Sequence, residues 1–233
     1  MYRTTPDFKG VTRFSRCEYG YSDTWQRRAT DPRLLAALRE ISAAVAATCG
    51  LATCLDGDDG AAACAAAAAR GHPALNSVNL NYYPRGGGVG WHADDEFLFD
   101  ALERDAAIVS LSLCDAPASG RRRFEVRLKK AFVGGGGGAA RRADADAARR
   151  KEESGGAAAA RALTLGHGDL MTMEGMHQLF YLHSVWPGDS REHRAHALTQ
   201  GERINLTWRT IVHHLDGGEE CRGMRCPLAA SSS

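Results

Sequence analysis

His92, Asp94 and His183 are residue types that ligate metals, and further along the chain Arg203-Ile204-Asn205-Leu206-Thr207-Trp208-Arg209 offers two guanidinium groups that could hold an anion. Successive side chains of a strand point to opposite faces, so a strand through Trp91-His92-Ala93-Asp94 projects His92 and Asp94 together and leaves the third ligand to come from elsewhere. Two imidazoles and one carboxylate on one face of an octahedron leave three positions open. That arrangement suits a non-haem Fe(II) oxygenase better than a closed zinc site, because the open positions admit a cosubstrate and oxygen. A His-x-Asp triplet alone is more often a hydrogen-bonded surface feature, and the downstream segment is what favours metal. There Arg203, Asn205, Thr207 and Arg209 alternate onto one face, while Ile204, Leu206, Trp208 and Thr210 take the other. On an edge strand that polar face would simply be solvated. On an inward face the arginines need anions, and paired guanidinium donors match a carboxylate bidentately. A dicarboxylic acid lying between this strand and the metal meets the demand.

The elements that must position these residues are mostly strands. Ser77 to Tyr83, Val89 to His92, Ala107 to Cys114, Arg123 to Lys129, Ala162 to Leu165, Asp169 to Met173, Leu179 to His183 and Ile204 to Val212 carry strand patterns, with Pro84 and Gly86 to Gly88 marking a turn before the metal segment. Asp31-Pro32 opens a helix with a capping carboxylate and a first-turn proline; Leu34, Leu38, Ile41 and Val45 share one face and Gly50 stops it. This helix is expected to buttress the sheet. Segments 56–70 and 134–160 are biased in Gly, Ala, Asp and Arg, and are expected as flexible insertions in one domain spanning 1–216, with 217–233 a disordered tail. About eight strands in this order suit a mainly β domain of the α+β kind, a jelly roll or equally, on pattern alone, a β-sandwich.

Several segments, in order, resemble the AlkB-type branch of the iron- and 2-oxoglutarate-dependent dioxygenases. Asn81-Tyr82-Tyr83 is similar to that family's Asn-x-Tyr and His92-Ala93-Asp94-Asp95-Glu96 to its His-x-Asp-x-Asp/Glu. Gly166-His167-Gly168-Asp169-Leu170, Met173-Glu174-Gly175 and Phe180-Tyr181-Leu182-His183 resemble its approach to the distal histidine. Arg203 to Arg209 resembles its Arg-x-Asn-x-Thr-x-Arg, with Trp208 where phenylalanine is more usual. The resemblance runs from about Tyr19 to Ile211. It implies a double-stranded β-helix core, iron held by His92, Asp94 and His183, and 2-oxoglutarate held among Asn81, Tyr83, Arg203, Asn205, Thr207 and Arg209, with Arg203 on its distal carboxylate. The activity implied couples decarboxylation of 2-oxoglutarate by O2 to removal of an N-alkyl group from a base of single-stranded DNA or RNA. The products would be succinate, carbon dioxide and formaldehyde.

For the substrate, the same resemblance sets Glu96 against the extruded base, where a carboxylate can accept from the exocyclic amine of adenine or cytosine and favour a cationic, methylated ring. It sets Tyr19 and Tyr21, in Tyr19-Gly20-Tyr21-Ser22, on an early aromatic strand suited to stacking on a base, a role in which ordinary sheet packing competes. Val11 to Cys17 holds no tryptophan and no hydrophobic wedge is evident, which favours single strands. From Arg121 to Lys151 eleven basic side chains stand against three acidic ones, Arg123 among them as a candidate phosphate contact; a solvated insertion explains the same run.

With 29 basic and 28 acidic residues and a formal charge of +1, the 233-residue chain lacks the strongly basic balance of a dedicated nucleic-acid binder. Its start has no apolar leader and no span is long and apolar enough for a membrane helix, so a soluble intracellular monomer of nucleus or cytoplasm is expected. Seven scattered cysteines fit reduced thiols; Cys221 and Cys226 beside His213 and His214 make a loose metal spacing. Two other functions compete: a related dioxygenase acting on a protein side chain or small molecule, and a catalytically silent binding protein. The triad and both arginines argue against silence.

Overall fold

The ends of the helix are set by the residues that announce them. In the computed structural model, which describes residues 11–14, 18–21, 24–25, 27–28, 31–53, 74–96, 99–114, 121–129, 132, 160–185, 201–210 and 224–225, the Asp31 carboxylate accepts from the N–H groups of Arg33 and Leu34, both at 2.9 Å. Pro32, which has no N–H to satisfy, begins α1 (Pro32–Cys49). Gly50 closes it at φ +66°, a left-handed conformation that a side chain would strain, and its N–H caps the carbonyls of Ala46 and Ala47.

The strands are β1 (Val11–Phe14), β2 (Glu18–Tyr21), β3 (Thr24–Trp25), β4 (Arg27–Arg28), β5 (Ala52–Thr53), β6 (Ala74–Leu75), β7 (Ser77–Tyr83), β8 (Val89–His92), β9 (Ile108–Cys114), β10 (Arg122–Leu128), β11 (Arg161–Leu165), β12 (Leu170–Met173), β13 (Tyr181–Val185), β14 (Arg203–Arg209) and β15 (Met224–Arg225), with a helical turn α2 (His177–Phe180) before β13. Eight of them build the core. A large sheet runs β12-β9-β14-β7, extended at one edge by β1 and β4, and a small sheet runs β11-β10-β13-β8. From β7 onward the chain passes large, small, large, small, small, large, small, large. That path is the jelly-roll arrangement expected from the sequence.

Register gives the large sheet two unlike faces. Arg203, Asn205 and Thr207 of β14 stand opposite Tyr83, Asn81 and Asn79 of β7 and opposite Cys114, Ser112 and Ser110 of β9. Cross-strand partners share a face, so these rows make the inner face largely polar. The alternate residues, Leu206 and Trp208 with Val78 and Val109, pack outward on Leu38, Val45 and Ala46 of α1. Between the sheets, Ile108 and Met173 meet Phe124, Leu165 and Val185. The expected helix therefore buttresses the sheet through the apolar half of the Arg-x-Asn-x-Thr-x-Arg strand itself.

Most strand ends differ from expectation by a residue or so, and two places bear on the site. The strand expected from Leu179 starts at Tyr181, because the N–H groups of Leu179 and Phe180 both turn back to the Met176 carbonyl, at 3.0 and 3.1 Å. The metal strand is Val89–His92, as its pattern has it, so Asp94 lies beyond the strand rather than on it with His92. Segments 56–70 and 134–160, apart from Ala160, lie outside the described residues. So do His213, His214, Cys221 and Cys226; Cys49 and Cys114 are free thiols. Within 217–233, Met224 and Arg225 are described, and they pair with Tyr19 and Glu18. Among the described residues no helix is long and apolar enough to cross a membrane.

The Trp208 indole N–H donates to Ser42 Oγ at 2.7 Å, and both residues are fully buried. Ser42→Ala is therefore expected to strand a buried donor and to cost about 1–3 kcal/mol in urea unfolding. In the double variant Ser42→Ala/Trp208→Phe that donor is gone, so the two losses should sum to more than the loss measured for the pair; strict additivity would remove the assigned bond.

Candidate iron and dicarboxylate site

Strand pairing brings the two imidazoles together. His183 of β13 is directly opposite His92 of β8, and their ring centroids lie 4.2 Å apart. Asp94 follows β8 in chain without strand pairing, so simple alternation does not place it. Its N–H instead donates to Gln178 Oε1 at 2.9 Å, and its Oδ2 accepts from Arg209 Nε and Nη2 at 3.2 and 2.8 Å. Held this way, Asp94 presents Oδ1 at 3.9 Å from His92 Nε2. One ligand atom from each of His92, Asp94 and His183 lies within 4.8 Å of the others.

The hydrogen bonds and charges favour ligation. His92 Nδ1 is 2.7 Å from the Gly90 carbonyl; a carbonyl only accepts, so Nδ1 carries a proton and Nε2 is the nitrogen turned toward Asp94. Burial and the neighbouring His92 hold His183 well below the usual imidazole range, so its ring stays neutral. Its Nδ1 is buried with no hydrogen-bond partner among the described residues. Burial would raise the Asp94 pKa, but the Arg209 charge and the hydrogen bond from it outweigh burial and hold the carboxyl well below the usual range. Neutral imidazole and ionised carboxylate are the forms that bind a metal. With two nitrogens and one oxygen as donors, the cluster fits ferrous iron.

Behind it lies Arg203, 1% exposed. Its Nη2 donates to Ser112 Oγ at 2.7 Å and to Asn205 Oδ1 at 3.0 Å, while Nε and Nη1 are buried without a hydrogen-bond partner among the described residues. The guanidinium carbon stands 5.4 Å from the Tyr83 ring centre. Asn205 is fixed by Ser110 Oγ at 2.9 Å and by its own donation to Thr207 Oγ1 at 2.7 Å. Burial presses against the Arg203 charge, and a buried guanidinium with donors left over calls for a further anionic acceptor. Asn81 and Tyr83 occupy the same buried face.

Glu96 closes the metal segment. Burial and the nearby Asp94 charge push its carboxyl up to about 7, and its Oε2 is buried without a partner among the described residues. The other substrate candidates lie on other strands. Tyr19 and Tyr21 lie in β2, in a separate sheet with β3 and β15. Arg123 is not brought to the site. Its neighbours Phe124 and Val126 face inward, Phe124 stacking on His183 with centroids 5.6 Å apart, so alternation turns Arg123 outward. There, with its side chain 46% exposed, it is ion-paired with Glu125.

Sequence reasoning did not single out Gln178, Ser110, Ser112 or Lys129 as site residues. The serines carried a usable signal, since they alternate with Val109, Leu111 and Leu113 on a strand otherwise aliphatic. Gln178 carried none, because its bond to Asp94 crosses from one distant segment to another.

The family model of the 2OG-Fe(II) oxygenase superfamily matches residues 7–209. Among curated proteins no sequence match is found. Among solved structures, that of OsALKBH1 is similar over 81% of this chain and 67% of its own, at 16% identity and a TM-score of 0.36. The crystal structure of a Pseudomonas putida prolyl-4-hydroxylase is similar over 91% of this chain and 78% of its own, at 13% identity and a TM-score of 0.35. Superfamily members are dioxygenases that use Fe(II), 2-oxoglutarate and O2, and here the donors that these require stand together inside the jelly roll. On that sequence match, which spans most of its length and includes every residue of the cluster, the chain belongs to the 2OG-Fe(II) oxygenase superfamily.

Proposed function

We propose that this dioxygenase removes N-linked alkyl groups, of the 1-methyladenine and 3-methylcytosine kind, from single-stranded DNA or RNA. The observation that carries the nucleic-acid reading is Glu96, a carboxyl with a buried, partnerless oxygen two residues beyond Asp94. Such an oxygen accepts from the exocyclic amine that adenine and cytosine both present. The AlkB-like order of the motifs supports the same reading.

In this reading His92, Asp94 and His183 hold Fe(II), which with 2-oxoglutarate and O2 supplies the oxidant for a C–H bond. Arg203 binds the distal carboxylate of 2-oxoglutarate with its buried guanidinium. Tyr83, Asn81, Asn205 and Thr207 shape the cleft around the chain of the acid, and Arg209 keeps Asp94 ionised and oriented. Glu96 places the N-alkyl carbon toward the metal, with Tyr19 and Tyr21 on a strand that could stack beside the base. One oxygen atom of O2 goes to succinate and the other to the alkyl carbon. The hydroxyl of the N–CH2OH group then gives up its proton as the C–N bond breaks, its electron pair returning to the ring nitrogen and the carbon leaving as formaldehyde. The protein's contribution is position and exclusion of side reactions.

Single-stranded oligonucleotides carrying 1-methyladenine or 3-methylcytosine, incubated with protein, Fe(II), ascorbate and 2-oxoglutarate in air, should lose one methyl mass with iron and 2-oxoglutarate dependence. Succinate formation without that loss would move the substrate to a protein side chain or small molecule. His183→Ala is expected to abolish succinate formation while leaving the thermal transition cooperative; retained turnover would remove His183 from the metal. Arg203→Met should weaken 2-oxoglutarate by at least about tenfold in KM, since losing one partner of a buried charge pair costs about 2 kcal/mol or more. An unchanged KM would place the distal carboxylate elsewhere.

A further inference from the structure

We infer that Gln178 is a positioning residue for the metal carboxylate, acting from a distant segment on the backbone of Asp94. The inference rests on the reading of His92, Asp94 and His183 as iron ligands. Because β8 ends at His92, no sheet partner receives the Asp94 N–H. Gln178 Oε1 receives it at 2.9 Å, in a buried bond. An N–H donates, so the carboxamide must turn its oxygen to Asp94. Its Nε2 is then left toward Met173 Sδ at 3.8 Å and His177 Nδ1 at 3.4 Å, both able to accept. With Gln178 only 2% exposed, water offers little competition for either bond.

Gln178 sits in α2, which runs directly into the strand bearing His183. Its bond therefore ties the segment of one metal ligand to the approach of another. Lys129 repeats the tie one residue further on. Its Nζ donates to the Gln178 carbonyl at 2.7 Å and to Asp95 Oδ2 at 3.1 Å, while its own N–H donates to the Phe180 carbonyl at 2.8 Å. Asp94 is thus held at its amide by Gln178, at the following residue by Lys129 and at its carboxylate by Arg209. An unladdered residue pinned on three sides loses little conformational freedom when a metal arrives. Outer partners of this kind typically contribute about 10- to 100-fold to metal affinity.

The test is anaerobic titration of the apo protein with Co(II), read by its visible absorption bands, in wild type, Gln178→Leu, Gln178→Glu, His183→Ala and Leu38→Ala. Gln178→Leu keeps the approximate size of the side chain but not the acceptor, and should weaken Co(II) by about 10- to 100-fold. Gln178→Glu keeps an acceptor and should recover most of that loss. Leu38→Ala, on the α1 face that packs against the outer side of the large sheet, lowers the thermal transition without a contact to the three ligands or Gln178 and should bind as wild type does. Unchanged affinity in Gln178→Leu, or an equal loss in Leu38→Ala, overturns the inference. Should Gln178→Leu fail to fold, amide hydrogen exchange of wild-type Asp94 decides: slow exchange outside any strand is expected, and the rate of an open loop overturns it. Absent Co(II) binding by wild type, or full binding by His183→Ala, would overturn the iron reading and this inference together. Binding that His183→Ala loses and Gln178→Leu keeps would overturn the role of Gln178 alone.

Discussion

The register of β14 between β7 and β9 is the constraint on which the rest depends. Its odd positions carry Arg203, Asn205, Thr207 and Arg209 inward, and its even positions carry Ile204, Leu206 and Trp208 toward α1. Because the side-chain period of a strand is two, a slip of one residue would exchange the faces, setting an indole in the cavity and two guanidiniums against the helix. Neither outcome can be satisfied. The apolar contact with α1 and the Trp208–Ser42 bond thus act at a distance on chemistry, since they fix the orientation of the strand that presents the arginines.

Placing that polar face inward is costly. A buried guanidinium loses its hydration and recovers it only through full hydrogen bonding. Arg203 is compensated on one nitrogen by Ser112 and Asn205, with Nε and Nη1 left over. Arg209 is compensated differently, by the Asp94 carboxylate. In the proposed function the two arginines divide the work: one would hold a protein carboxylate ready for metal, and the other would keep donors for a carboxylate from solution. A ligand that completes Arg203 binds the folded state alone and stabilises it by mass action, so recognition of the dicarboxylate and relief of the buried charge are one event.

Much of this was legible in the sequence, for reasons that can be traced to particular residues. Strict alternation in Ser77 to Tyr83 and Arg203 to Arg209 fixed both strands and their faces, and Asp31-Pro32 and Gly50 fixed the helix, because these signals act between near neighbours. The inference from one strand failed at Asp94, which lies past the last paired residue. It reached the right cluster all the same, because His-x-Asp needs only two extended residues, not a sheet. The face of Arg123 was not legible for a different reason: net charge in a segment says nothing of parity, and Phe124 takes the inward face, which leaves Arg123 exposed.

The position of Asp94 outside the ladder has its own logic. Paired strands fix His92 against His183 through backbone bonds, which leaves little latitude in the spacing of the two imidazoles. A third ligand on a strand of the same sheet would inherit that rigidity along the sheet surface. A ligand on the chain beyond β8 can swing over the imidazoles, at the cost of needing other restraints. Those come from Gln178, Lys129 and Arg209, each on a different element and each far from Asp94 in sequence. The geometry of the site is thus set locally for two ligands and by the closed fold for the third, so the triad can be complete only once both sheets and the α2 turn have assembled.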